Sequence, residues 1–366
     1  MGFSCGIVGL PNVGKSTLFN ALTRAHADAQ NFPFCTIDPN IGIVAVPDRR
    51  LEALAPCFKS ERTVPTTLRF VDIAGLVRGA ARGEGLGNQF LAHIREVDVV
   101  LHLVRCFNDD NVAHVDGRVD PVGDVATIQV ELCLKDLETV ERRLERARKQ
   151  SKGGDPQERR AIEVCERLLS HLDTGRPASE LPCEDKDHEL RTSLALLTDK
   201  PVFYVANIDE TSLSSPDDNP HVSALRAHAE AEGAPFLSLC AGVESQIAEL
   251  EPAERSEFIE MLGLSEPGLE RVVKAGYDLL GLITFFTGNA KECHAWTVRS
   301  GATAPEAAGA VHTDFQKGFI KAEVIPWQLL VEYGSEAKVR EAGKLGLHGR
   351  DYEVKDGDVL YFRFKV

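Results

Sequence analysis

The sequence has no CxxC pair, no apolar run of bilayer length and no surplus of positive charge, and each absence excludes a class of protein. Its nine cysteines are odd in number and scattered from Cys5 to Cys293, which suits neither a disulfide framework nor a zinc ribbon and points to a reducing compartment. No apolar segment approaches the roughly 20 residues needed to span a bilayer, and the N-terminus enters a strand-like segment without a basic leader. A cytoplasmic protein with no membrane partner is expected. The formal net charge of -15 argues against broad, nonspecific coating of nucleic acid, since neutralising phosphates requires excess Lys and Arg. There is no tandem repeat and no low-complexity tail.

What is present is enough apolar material, 43% of 366 residues, for two or three domains with cores of their own. Short apolar runs at Phe3–Gly9, Ile41–Val46, Leu68–Asp72 and Val99–Val104 alternate with helical patterns, as in an α/β domain with a largely parallel sheet. From about Val125 the pattern changes. Val130, Cys133, Leu137, Val140, Leu144 and Ala147 recur at three- and four-residue steps, and Ile162, Cys165, Leu169 and Leu172 repeat the spacing after a turn at Ser151–Pro156. Two such helices would bury their stripes against each other as an antiparallel hairpin. Strand signals resume at Pro201–Asn207 and Pro235–Leu239, so the hairpin reads as an insertion. The expected division is 1–125 with 201–280 as a discontinuous nucleotide-binding domain, 126–200 as the hairpin, and 281–366 as a small α+β domain. In the last, β-rich stretches surround one helical segment, and Lys355-Asp356-Gly357-Asp358 offers hairpin-turn chemistry.

Gly9-Leu10-Pro11-Asn12-Val13-Gly14-Lys15-Ser16 satisfies the GxxxxGK[ST] phosphate-loop pattern, directly after an apolar strand and directly before the helical run Thr17–Thr23. The residues Asn12, Val13, Gly14, Lys15, Ser16 and Thr17 are the expected phosphate cradle: backbone N–H groups and the helix N-terminus face phosphate oxygens, Lys15 reaches the β and γ phosphates, and Ser16 ligates Mg²⁺. Asp72-Ile73-Ala74-Gly75 closes the Leu68 strand as a DxxG element. Asp72 would hold the Mg²⁺ shell, and the Gly75 N–H would sense the γ phosphate. Thr36, before the next strand, is placed to close over Mg²⁺; a plain turn hydroxyl is the alternative.

The base-reading segment distinguishes ATP from GTP. A guanine site in this class carries NKxD, whose aspartate accepts from the guanine N1–H and 2-amino group. The chain instead has Asn207-Ile208-Asp209-Glu210: an isoleucine replaces the covering lysine, and a longer glutamate the aspartate. ATP is the expected ligand, with guanine recognition open only if Asp209 takes over by a one-residue shift. Leu76 stands where many small GTPases carry the glutamine that orients water. His114, in a loop after the fourth strand, is the candidate replacement, and Lys15 the second catalytic group. A lone histidine is more often structural.

The combination of GLPNVGKST, NFPFCTIDPN, DIAGLVRGAARGEGLGNQFLAHIREVD, ANIDE and EAAGAVHTDFQKGFIKAEVI resembles the YchF-type Obg-like ATPases, a branch of the translation-factor class of P-loop GTPases, along essentially the whole chain. The resemblance implies a P-loop G domain with an inserted helical hairpin and a C-terminal β-grasp (TGS) domain. It also implies ATP preference through an altered fourth motif at Asn207 and Glu210, Leu76 in place of the catalytic glutamine, His114 as the catalytic histidine, and a K⁺ ion beside Asn12. Association with ribosomes and a link to oxidative stress, with Cys35 the natural candidate, follow from the same likeness; an unreactive small hydrophobe is the other reading of Cys35. Arg142, Arg143, Arg146, Arg148, Lys149 and Lys152 cluster toward the hairpin tip, enough for a local rRNA phosphate contact, although Glu138 and Arg142 also suit a solvated helix face. An Obg-class GTPase, or a nucleotide-gated ribosome-binding module with incidental hydrolysis, are the competing functions.

Overall fold

Small and apolar residues fill the strand β1 (Ser4–Val8), valine and leucine dominate β5 (Val99–Arg105), and every residue in both is buried. Strands covered on both faces lose the polar–apolar alternation of half-exposed ones, and they sit at the middle of a sheet. The flanking strands β2 (Ile41–Ala45) and β4 (Thr67–Asp72), by contrast, alternate buried and half-buried positions for most of their length. With β6 (Val202–Asn207) and β7 (Phe236–Leu239) they form a six-stranded sheet in the order β2-β4-β1-β5-β6-β7. The pairs of β1 with β4 and β5, and of β6 with β5 and β7, are parallel, so their C-terminal ends lie along one edge. The protein is seen here as a computed structural model. It describes residues 3–25, 40–73, 86–109, 111–115, 117–151 and 155–365, with backbone alone at 86–89 and 252.

The described residues fall into two compact units, Met1–Ile43 with Arg69–Val272, and Val44–Leu68 with Val273–Val366. In the first, α1 (Lys15–Ala25) follows β1; after α2 (Arg49–Phe58), which belongs to the second unit, and α3 (Leu86–Glu96) comes the 30-residue α4 (Pro121–Gln150). It is followed by α5 (Pro156–Leu172), α6 (His188–Leu194), α7 (Pro220–Glu232), α8 (Ala241–Glu249), α9 (Pro252–Met261) and α10 (Gly268–Leu279). Asp120, Asp155 and Asn219 cap α4, α5 and α7, each followed by proline at the first helical position. That order satisfies orphan N–H groups and presets φ. The α4 and α5 stripes share a core of Cys133, Val140, Leu144, Val164, Cys165, Leu168 and Leu172. One expected member is wrong: Val130 is 46% exposed. The buried face carries Asp136 in addition, whose carboxylate accepts from the Leu197 and Thr198 N–H groups at 2.8 and 2.9 Å and from the Thr198 hydroxyl at 2.7 Å. Hydrophobic spacing cannot register a buried carboxylate that backbone amides satisfy.

The second unit departs from expectation in three ways. Residues 44–68, assigned from the sequence to the nucleotide-binding domain, pack with the C-terminal segment. There β3 (Arg62–Val64) pairs in parallel with β9 (Glu292–Arg299), and Leu51 and Leu54 of α2 enter a core with Phe286, Ile325 and Val359. Within 281–365 four helices occur where one was expected: α11 (Ala304–Val311), α12 (Thr313–Lys317), α13 (Trp327–Tyr333) and α14 (Glu336–Glu341). The sheet order is β11-β10-β12-β8-β9-β3, with β8 (Leu282–Gly288), β10 (Phe319–Pro326), β11 (Gly346–His348) and β12 (Asp358–Phe364). The Lys355–Asp358 turn, with Gly357 at φ +88°, leads into β12. It is not a hairpin turn, because β12 pairs antiparallel to β10 and parallel to β8. Among the described residues no helix is long and apolar enough to cross a membrane.

Replacing the buried Leu168 with alanine should cost about 2–5 kcal/mol of stability by leaving a cavity between α4 and α5. Val130→Ala on the same helix pair should stay within about 0.5 kcal/mol. Urea unfolding followed on both variants checks this, and equal losses would contradict the packing.

Candidate functional site

The loop between β1 and α1 is built as tightly as its glycines imply. A Cβ on Gly9 would lie 2.4 Å from the Leu103 carbonyl oxygen, and one on Gly14, at φ +99°, 2.5 Å from the Asn207 side-chain nitrogen. Asn12 also takes a left-handed conformation, at φ 63°. Ser16 and Thr17 are exposed at the head of α1, while Val13 is buried and contributes backbone. Lys15, only 8% exposed, donates from Nζ to the Gly9 and Leu10 carbonyls at 3.0 and 2.7 Å. Burial pulls its pKa down to about 8, with the charge of Asp72 opposing. The Ser16 hydroxyl donates to Asp72 Oδ2 at 3.3 Å. Serine and carboxylate oxygens side by side are the hard donors that Mg²⁺ takes. No group of three or more His, Cys, Asp or Glu gathers among the described residues. Thr36, Gly75, Leu76 and Cys35 lie outside the described residues, as does Lys152.

Asn207 ends β6 facing the loop. Its side-chain N–H donates to the Val13 carbonyl at 2.8 Å, and its Oδ1 accepts from the Ala241 N–H at 3.0 Å, so one buried amide joins the phosphate loop to the first residue of α8. The Ile208 side chain is buried: at 2% exposure it packs with Val222, Leu225 and Val243. Asp209 is committed elsewhere. Its Oδ1 accepts from the Thr211 hydroxyl at 2.5 Å and from the Ser212 N–H and hydroxyl, both at 2.9 Å. These bonds, that from Thr211 foremost, hold the carboxyl below its usual range. Glu210 opens the short turn Glu210–Ser212 and is exposed. Beside it lies an open cleft of about 350 Å³, walled by Phe107 and Asn108 on one side and by Asp209, Thr211, Ser215 and His221 on the other.

His114 is present in the site's neighbourhood but turned inward. Its Nε2 lies 3.1 Å from Asp124 Oδ2 in the first turn of α4, with side chains 6% and 4% exposed. The preceding carbonyl, Ala113, accepts the Asn12 side-chain amide at 3.1 Å, which fastens the histidine loop to the phosphate loop. Sequence reasoning missed Asp124, Phe107 and Arg105. The only advance signal was an arginine closing a largely apolar strand, VVLHLVR. Of the basic group on α4, Arg143 and Arg148 pair with Glu158 and Glu166 of α5 at 2.8 Å each, whereas Arg142, Arg146 and Lys149 are exposed.

Two family models match the chain: one described as "50S ribosome-binding GTPase" over residues 4–136, and YchF-GTPase_C, "Protein of unknown function (DUF933)", over residues 282–365. A Haemophilus influenzae protein named "Ribosome-binding ATPase YchF" is 51% identical over 366 residues, covering 100% of both chains. A Bacillus subtilis protein of the same name is 49% identical over the same span and coverage. The solved structure of the Schizosaccharomyces pombe YchF GTPase superposes with a TM-score of 0.89 at 36% identity, covering 99% of this chain and 98% of that one.

The resting state of Lys15 predicts a pH dependence. Phosphate contact favours the ammonium, so a lysine titrating at about 8 in the free protein must take up a proton to bind above that pH. The dissociation constant for a nucleoside triphosphate should weaken by up to about tenfold per pH unit above 8. Calorimetry across that range, in two buffers of different ionisation enthalpy, reads both the affinity and the proton uptake. An affinity flat through the range would contradict the burial of this ammonium.

Proposed function

The chain belongs to the YchF family, and on that premise we propose that it is a cytoplasmic, Mg²⁺-dependent nucleoside triphosphatase that prefers ATP to GTP and works as a ribosome-associated conformational switch. The observation that carries the base preference is the occupation of Asp209. With Oδ1 already accepting three hydrogen bonds, this carboxylate is not available to shift by one residue and read the guanine N1–H and 2-amino group. Breaking such bonds would cost about 0.5–1.5 kcal/mol each. The cleft walled by Phe107 and Asp209 is the proposed seat of the base, since it adjoins the segment that follows Asn207.

In this reading Lys15 leaves the Gly9 and Leu10 carbonyls for the β and γ phosphates, the amides of Asn12 to Thr17 cradle the chain of phosphates, and Ser16, Asp72 and Thr36 hold Mg²⁺, which neutralises charge on the transferring phosphoryl group. Gly75 would sense the γ phosphate. Asn12 supplies an amide oxygen for K⁺. His114, paired with Asp124, is a histidine whose carboxylate neighbour orients the ring, the arrangement of a general base or water-positioning group. Reaching the γ phosphate requires the ring to rotate away from Asp124. Exposed Arg142, Arg146 and Lys149 support a contact with rRNA phosphates. Residues 281–366, where β12 lies between β10 and β8, are read as the TGS domain, 126–200 as the hairpin, and Cys35 as the site of redox control.

Isothermal titration should give an ATP complex about tenfold tighter than the GTP complex, or about 1.4 kcal/mol. A markedly tighter GTP complex would overturn the assignment. His114→Ala should lower turnover by about 10²-fold or more while leaving ATP binding intact; unchanged turnover would remove the histidine from the mechanism.

A further inference from the structure

Arg105 is charged, 2% exposed, and unused by the reading above. Its three guanidinium nitrogens donate to three different carbonyls of the loop that follows it: Nε to Phe107 at 3.0 Å, one terminal nitrogen to Val112 at 2.9 Å and the other to Asp109 at 3.1 Å. The guanidinium carbon lies 4.6 Å from the centre of the Phe107 ring. Only a planar group with donors on every nitrogen serves three divergent acceptors at once, which lysine cannot do. A buried cation held by carbonyl dipoles is costly to rearrange, so the loop keeps its shape as long as this group stays in place.

The loop has functional residues at both ends. Phe107 and Asn108 wall the base cleft, and Ala113-His114 meets Asn12 of the phosphate loop and Asp124 of α4. Arg105 is also the register partner of Asn207 across β5 and β6, and the Cys106 N–H donates to the Asn207 carbonyl at 2.8 Å. Two adjacent strands thus end at one level in two polar side chains. Asn207 braces the phosphate loop, and Arg105 braces the loop carrying the histidine.

We propose that Arg105 is a positioning residue that couples the base cleft to His114: a base seated against Phe107 stiffens the carbonyl frame held by the guanidinium, and this sets the height of Ala113 and His114 against Asn12. The inference rests on the cleft being the base seat. It makes base identity a determinant of turnover as well as of affinity.

Hydrogen exchange on the wild-type chain tests the coupling without hydrolysis. With Mg²⁺ and a non-hydrolysable ATP analogue, amides in residues 111–115 should slow by about fivefold or more. Tripolyphosphate, at concentrations that displace a fluorescent ATP analogue, fills the phosphate loop without a base and should leave them unchanged; equal slowing by both would overturn the proposal. In Arg105→Lys the difference between the two ligands should disappear. ATP turnover should fall about tenfold or more while the analogue's dissociation constant stays within about threefold. A variant that keeps the difference, or that loses binding and turnover in parallel, refutes the coupling in favour of a purely architectural arginine. A chain that binds ATP and fails to hydrolyse it would refute the proposed function and leave the exchange result standing.

Discussion

One buried amide, that of Asn207, carries the geometry of the whole site. By donating to the phosphate loop and accepting from the start of α8, it makes two elements far apart in sequence share a single atom group. A parallel sheet leaves its loops loose at the carboxyl edge; without a cross-brace, the loops after β1, β6 and β7 would each find their own position. Gly14 exists in its conformation because that brace occupies the space a side chain would need. The ends of the sheet are therefore organised by polar groups sunk among apolar ones, each with its hydrogen bonds completed, the condition under which such burial adds specificity rather than cost.

The phosphate loop satisfies its own polar groups. Lys15 spends its hydrogen bonds on the carbonyls of Gly9 and Leu10, and Ser16 and Asp72 already touch. His114 contrasts with this. It is held away in a buried pair with Asp124, and the proposed chemistry waits on a movement that binding by itself does not require.

Much of this was legible in the sequence because it rests on local rules. The phosphate loop depends on glycines at fixed spacing, the central strands on short apolar runs, and the α4–α5 pair on a stripe at helical period; the strands were placed within a residue or two of their observed positions, while α4 begins at Pro121, four residues before the expected Val125. The errors share a different cause. Val130 fits the period and faces solvent, since a stripe wider than the partner helix leaves its margin uncovered. Ile208 turned inward and Asp209 became a turn cap, because the short Glu210–Ser212 turn redirects the chain, and the two side chains serve packing and backbone instead of the base. The pairing of 44–68 with the C-terminal unit and of β12 with β10 and β8 are long-range matters to which periodicity is blind. Arg105 was missed for the reason Asp136 was: a charge satisfied by main-chain partners looks, in sequence, like any surface residue.

The 30 residues of α4 form a rod about 45 Å long, and its two ends bear unlike duties. The first turn holds Asp124, against which His114 rests; near the last are Arg146 and Lys149, turned to solvent. A rod transmits tilt as leverage: one degree of rotation about its capped end sweeps the far end through about 0.8 Å. The Asp124 turn and the exposed Arg146 and Lys149 are thus two ends of one element, joined by a single unbroken ladder of backbone bonds.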